Sequence, residues 1–128
     1  MLELFPDTAR IDGRRLTLGG TPAAELVRAH GSPLVVYCED TIRTHARAYR
    51  TAAPAALIVY GTKAFPNVAV MRILAEEGIG ADVSSLGELR FAQAAGIAGS
   101  ALVVHGNNKT REELEAAAAS SSSDLLLP

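Results

Sequence analysis

Short apolar runs alternate along this chain with longer segments in which apolar residues recur at helical spacing. The runs span residues 34–37, 56–60, 80–83, 101–104 and 124–127, so that successive runs begin 21 to 24 residues apart. Such even spacing is typical of repeated strand and helix units around a parallel sheet. The runs are largely apolar rather than alternating with polar residues, as expected of strands that are covered on both faces.

Local signals mark the ends of the intervening helices. Residues 85–88 and 110–113 both fit the capping box, in which a Ser or Thr side chain accepts a backbone N–H and a Glu three residues later reaches back to the cap amide. Gly78 and Gly96 can take the left-handed conformation that ends a helix. These signals agree with the helices that the apolar spacing predicts.

The pattern divides the chain into two predicted parts. Residues 1–33 are predicted to form an N-terminal extension, with a hairpin or turn-flanked strand over 10–18 and a short helix over 23–30. Residues 34–128 are predicted to be an α/β domain, a partial (β/α)8 TIM-type barrel of four to five βα units that is truncated before closure, because a closed barrel needs eight strands and about 250 residues. The alternative is an open half-barrel that must associate to cover its last strand edge.

Composition narrows the choice of partners. The net charge is -2 and the basic residues are scattered, which argues against nucleic acid and favours a small-molecule partner. No apolar run approaches the ~20 residues of a membrane helix, and residues 1–7 lack the features of a signal peptide. The single cysteine, Cys38, cannot form an internal disulfide, and the three histidines lack the spacing of a zinc site. We therefore expect a cytoplasmic protein without a metal.

Lys63 lies just after the 56–60 run, where a strand should give way to a helix. In a βα barrel the loops at that end of each strand line the reaction mouth. An ammonium group beside an apolar strand would be partly desolvated, which lowers the pKa of a lysine toward the neutral amine that condenses with aldehydes. The alternative is an ordinary solvated loop lysine.

Three segments resemble, in order and spacing, signature segments of the diaminopimelate decarboxylases, enzymes that use pyridoxal 5'-phosphate (PLP) in an alanine-racemase-like barrel. They are YGTKAFPN at 60–67, GADVSSLGEL at 80–89 and VHGNNK at 104–109. FPDTA at 5–9 and SPLVVYCEDT at 32–41 are similar to the N-terminal region of that family. The resemblance covers residues 1–119 and fades in the serine run at 120–123. Cys38 stands where the family has an acidic residue, and we expect no consequence for the chemistry.

The resemblance implies roles for three residues. Lys63 would be the catalytic lysine that holds PLP, Asp82 would approach that lysine or the cofactor, and His105 would border the cofactor ring. Each role has a structural alternative in the residues themselves. Asp82 precedes two serines and would suit the cap of the following helix, and a histidine at a strand end often serves only as a structural hydrogen-bonding group.

The resemblance also implies a reaction, the decarboxylation of meso-2,6-diaminopimelate to L-lysine and CO2 by a homodimer. Its phosphate site, its acidic partner for the pyridine nitrogen and its substrate-selecting groups would lie beyond residue 128, so the isolated chain is expected to be inactive. The alternatives are an ornithine or arginine decarboxylase, a non-catalytic PLP carrier, or a decarboxylase-like protein that acts by forming heterodimers.

Overall fold

The computed structural model describes residues 4–120, which contain two small three-stranded sheets and five α-helices. The elements in chain order are β1 (Arg10–Asp12), β2 (Arg15–Leu18), β3 (Thr21–Pro22), α1 (Ala23–His30), α2 (Glu39–Ala52), β4 (Val59–Gly61), α3 (Val68–Glu76), β5 (Gly80–Val83), α4 (Leu86–Ala94), β6 (Leu102–Val104) and α5 (Arg111–Ser120). The contacts divide the chain into two compact units between His45 and Ala46.

The N-terminal unit contains an antiparallel sheet in the order β1-β2-β3, followed by α1. Strands β1 and β2 pair with Ile11 opposite Leu16, and Gly13 takes a positive φ of 59° in the tight turn between them. The hairpin and short helix predicted for this region are therefore confirmed. The domain boundary predicted after residue 33 stays a prediction. The compact unit that contains the hairpin and α1 ends at His45.

The second unit is built on a parallel sheet in the order β4-β5-β6, with α3 and α4 in the connections between neighbouring strands. Its core lies between this sheet and the helices, and Met71 of α3, Val83 of β5 and Leu89 of α4 are almost completely buried there. Parallel strands joined through helices make this a mixed α/β fold, as the sequence predicts.

The strand predicted at 34–37 is wrong. These residues have no strand conformation, and Val35 and Tyr37 are 78% and 53% exposed. An isolated extended segment gains no interstrand hydrogen bonds, and no described strand pairs with it. The run predicted at 101–104 is shortened to β6, and the run predicted at 56–60 is shifted to β4, which begins three residues later and ends one residue later. The run at 80–83 is confirmed as β5. The run predicted at 124–127 lies outside the described residues.

The predicted helix signals are largely confirmed. Gly78 and Gly96 have φ of 75° and 82° just after α3 and α4. At the start of α5 the capping box is reciprocal, since Glu113 N donates to Thr110 Oγ1 at 3.2 Å and Thr110 N donates to Glu113 Oε2 at 2.9 Å. None of the helices described between residues 4 and 120 is long and apolar enough to cross a membrane.

Candidate functional site at the carboxyl edge of the parallel sheet

The three candidate residues lie at or just after the carboxyl ends of three neighbouring parallel strands, at the same edge of the sheet. Gly61 of β4 lies opposite Asp82 of β5, and Lys63 follows two residues later. The amide of His105 donates to the carbonyl of Val83 at 3.0 Å, so His105 extends the β5–β6 pairing by one residue. The strand register therefore brings Lys63, Asp82 and His105 to one edge.

Asp82 and His105 form a direct hydrogen bond between Oδ1 and Nδ1. Both side chains are only partly exposed, at 28% and 33%. The capping alternative for Asp82 is wrong, because helix α4 is capped by Ser85, whose side chain accepts from Glu88 N at 3.3 Å. The carboxylate of Asp82 is instead used to fix the orientation of the His105 ring.

Lys63 lies in a single 3-10 turn, Thr62–Ala64, that follows β4. Its side chain is exposed, so the partial desolvation expected from the apolar strand is not observed. The reason is local, since Thr62 takes the inward position of the turn and is completely buried. Among the residues that the structure describes, Lys63 has no hydrogen-bond or ion-pair partner. Its amine is therefore unengaged at the edge where Asp82 and His105 meet.

Two further residues at this edge, Thr62 and Glu88, were not singled out as site residues from the sequence. Thr62 Oγ1 lies 2.6 Å from Glu88 Oε2 and 2.8 Å from the carbonyl oxygen of Asp82. Glu88 Oε2 also accepts from the backbone N–H of Ser84 at 2.8 Å. The capping-box motif pointed to Glu88, but the carboxylate reaches Ser84 rather than the predicted amide of Ser85. It thereby connects the start of α4 to the residue before Lys63.

The hydrogen bonds around Glu88 determine its charge state. Burial alone would raise the pKa of Glu88, but hydrogen bonds from Thr62, Ser84 and Ser85 outweigh that effect. The pKa of Glu88 consequently lies below its ordinary value. Glu88 is thus an ionised acceptor for the Thr62 hydroxyl at neutral pH.

The loop after β6 is fastened to the loop after β5. Lys109 Nζ donates to the carbonyl of Ser84 at 2.5 Å, and Glu113 Oε1 accepts from Leu86 N at 3.3 Å. The pKa of Glu113 is lowered, first by the hydrogen bond from the Thr110 amide and also by the nearby charge of Lys109. Unlike Lys63, Lys109 is therefore engaged in holding two loops together.

Comparison with known proteins supplies the family. Residues 39–125 match the model of the pyridoxal-dependent decarboxylase family, pyridoxal binding domain. This chain belongs to the pyridoxal-dependent decarboxylases. It is 44% identical over 114 residues to a diaminopimelate decarboxylase of Actinosynnema pretiosum subsp. auranticum, covering 89% of this chain and 26% of that protein. The chain thus spans about a quarter of the length of this relative.

Solved structures agree with the family. The crystal structure of AQ1208 from Aquifex aeolicus is 39% identical, with a TM-score of 0.83 over 88% of this chain and 28% of that one. The diaminopimelate decarboxylase of M. jannaschii in complex with L-lysine is 34% identical, with a TM-score of 0.78 over 89% and 28% of the two chains. The fold described above is therefore that of the N-terminal part of such decarboxylases.

The edge residues fit the cofactor of this family. PLP is held by a lysine amine, and Lys63 offers an amine that no described residue engages. Asp82 and His105 add a carboxylate and an imidazole in a fixed mutual orientation. Within residues 4–120, no group of three or more His, Cys, Asp or Glu side chains is arranged to hold a metal ion.

Proposed function

We propose that this chain supplies the lysine-bearing part of a PLP-dependent carboxy-lyase that converts meso-2,6-diaminopimelate to L-lysine and CO2. The observation that carries the proposal is the unengaged amine of Lys63 in the turn after β4, at the sheet edge that also carries the Asp82–His105 pair, in a chain 44% identical to a diaminopimelate decarboxylase. The parallel order β4-β5-β6 supports the further proposal that these strands are consecutive units of a (β/α)8 barrel.

Each edge residue has a part in the proposed reaction. PLP, when bound, withdraws the electron pair left by the departing carboxylate. Lys63 would hold the cofactor, give it up to the substrate amine, and recover it when the product leaves. Asp82 would orient the His105 ring through their hydrogen bond, so that His105 presents one fixed side to the cofactor. The substrate would be a small amino acid, and the whole protein would act as a homodimer in the cytoplasm.

The test is a substrate comparison on the whole protein that contains this chain. Release of CO2 is expected from meso-diaminopimelate, with formation of L-lysine and little turnover of ornithine or arginine. A site built to pair the polar groups at the far end of one substrate rejects substrates that leave those groups unpaired. Preference for ornithine or arginine would overturn the assigned substrate but not the family.

Two variants test the assigned lysine in the same assay. Lys63→Ala should lower the rate by several orders of magnitude, because the amine that holds and exchanges the cofactor is gone. Cys38→Ala is the control and should retain nearly the normal rate. Cys38 lies in the other compact unit, and its thiol forms a hydrogen bond with the Thr8 hydroxyl at 3.1 Å. Near-normal turnover by Lys63→Ala would show that the wrong lysine has been assigned.

A further inference from the structure

Thr62 is the one polar side chain among residues 4–120 that is both buried and directly adjacent to Lys63. Burial of a hydroxyl is costly unless it is hydrogen-bonded, and Thr62 Oγ1 has two acceptors within 2.8 Å, Glu88 Oε2 and the Asp82 carbonyl. A hydroxyl has a single proton, so the two acceptors share it. The side chain of Thr62 is therefore held from two directions.

The acceptor on Glu88 is itself fixed. Its Oε2 atom accepts from the Ser84 amide at 2.8 Å and from the Ser84 hydroxyl at 3.1 Å, and both groups precede helix α4. A carboxylate bound by several donors has little freedom to rotate. The link therefore runs from the rigid start of α4, through Glu88 and Thr62, to the turn that carries Lys63.

We propose that Thr62 and Glu88 are positioning residues that fix the Thr62–Ala64 turn and so aim the amine of Lys63. This inference rests on the proposed role of Lys63 as the cofactor lysine. An exposed lysine on a loose turn explores many directions, whereas anchoring the residue before it limits the region that the amine samples. Loss of the anchor should slow the attachment of PLP to Lys63 beyond the slowing caused by an equal loss of fold stability elsewhere in the chain.

The experiment measures how fast PLP becomes attached to Lys63 in the whole protein freed of cofactor, with borohydride trapping and peptide mapping at timed intervals. Thr62→Val keeps the shape of the side chain but removes the donor, and it should slow attachment about tenfold, the effect of losing one hydrogen bond to a charged group. Thr62→Ser restores the hydroxyl and should return the rate to within about twofold of wild type.

Glu88→Gln and Glu113→Gln form a matched pair. Both glutamates accept N–H groups at helix starts in successive βα units, but only Glu88 contacts Thr62. Melting temperatures should fall similarly in both variants, whereas attachment to Lys63 should slow only in Glu88→Gln. This pair keeps the test decisive if Thr62→Val fails to fold.

The outcomes separate the two proposals. Attachment at the wild-type rate in Thr62→Val, equal impairment of Thr62→Val and Thr62→Ser, or equal slowing in Glu88→Gln and Glu113→Gln would each overturn the positioning role. A wild-type protein in which PLP never attaches to Lys63 would overturn the proposed function, and the positioning role with it.

Discussion

The two lysines of this sequence, Lys63 and Lys109, have different surroundings. Lys109 donates to the Ser84 carbonyl, and an added Cβ at Gly106 would lie only 2.8 Å from its Nζ atom, so the ammonium is packed against its own loop. Lys63 is exposed and has no partner among the described residues. Of these two lysine side chains, only that of Lys63 can react without first breaking existing contacts.

This difference predicts the site of labelling. When the whole protein is mixed with PLP and reduced with borohydride, one pyridoxyl group should be found on Lys63 by peptide mass mapping. Lys63→Arg keeps the positive charge but should prevent the labelling, because the guanidinium stays protonated. A label on Lys109 in the wild-type protein would contradict the assignment.

The hydrogen bonds to Glu88 predict a pH dependence of stability. Because its folded pKa is lowered, the ionised form contributes stability that is fully present above the ordinary glutamate pKa of about 4.3 and is lost as the pH falls through the lower folded value. The difference in urea midpoint between wild type and Glu88→Gln should therefore shrink on acidification below about pH 4. A difference that is constant between neutral and acidic pH would argue against these hydrogen bonds.

At the residue scale the sequence placed Asp82 and His105 at neighbouring strand ends but did not predict that they bond to each other. Asp82 and His105 were predicted from strand ends and motifs, and their hydrogen bond follows from the register of β5 and β6. The contact between Thr62 and Glu88 joins residues 26 positions apart. It joins the first turn of α4 to the turn after β4, and no local pattern specifies that tertiary contact.

At the element scale, the close approach of β5 to the residue before β6 requires glycine at position 80. An added Cβ at Gly80 would lie 2.1 Å from the carbonyl oxygen of Ala101, a backbone atom that cannot move without disturbing β6. Gly80→Ala should therefore destabilise the protein by roughly 1–3 kcal/mol in urea unfolding.

Gly87 is the matched control for this substitution. It lies in the first turn of α4, where an added Cβ would meet only Ser85 Oγ at 4.0 Å. Alanine is the better helix former, so Gly87→Ala should be neutral or stabilising by up to about 1 kcal/mol. Equal effects of the two substitutions would show that strand packing does not require glycine at position 80.

The elements were predicted best where local and tertiary signals agree. Strand β5 is flanked by Gly78 and by the Ser85 cap, pairs on both sides, and has the predicted bounds. Residues 34–37 have an equally apolar sequence but no pairing strand among the described residues, and their strand is absent. A strand needs a neighbouring strand to pair with as well as residues that favour the extended conformation. The local sequence shows only whether such residues are present.

At the scale of the whole molecule, one run of exposed apolar residues differs from the other, scattered ones. Leu34, Val35, Val36 and Tyr37 are consecutive, and each is at least 37% exposed. Within residues 4–120, β4 and β6 each pair on one side only. Single exposed apolar residues are normal on protein surfaces, but contiguous patches and open strand edges favour association with other chains.

The 128-residue chain expressed by itself should therefore associate at micromolar concentration, with light scattering above that of a monomer and without a sharp, cooperative melting transition.

Val35→Lys places a charge in the middle of the exposed run and should reduce the association, because a buried unpaired ammonium is costly in an interface. Tyr49→Lys is the control, since Tyr49 is 68% exposed on helix α2, away from this run in the sequence, and its replacement should change the scattering little. A monodisperse wild-type chain that melts cooperatively would show that neither these exposed apolar residues nor the open strand edges drive association.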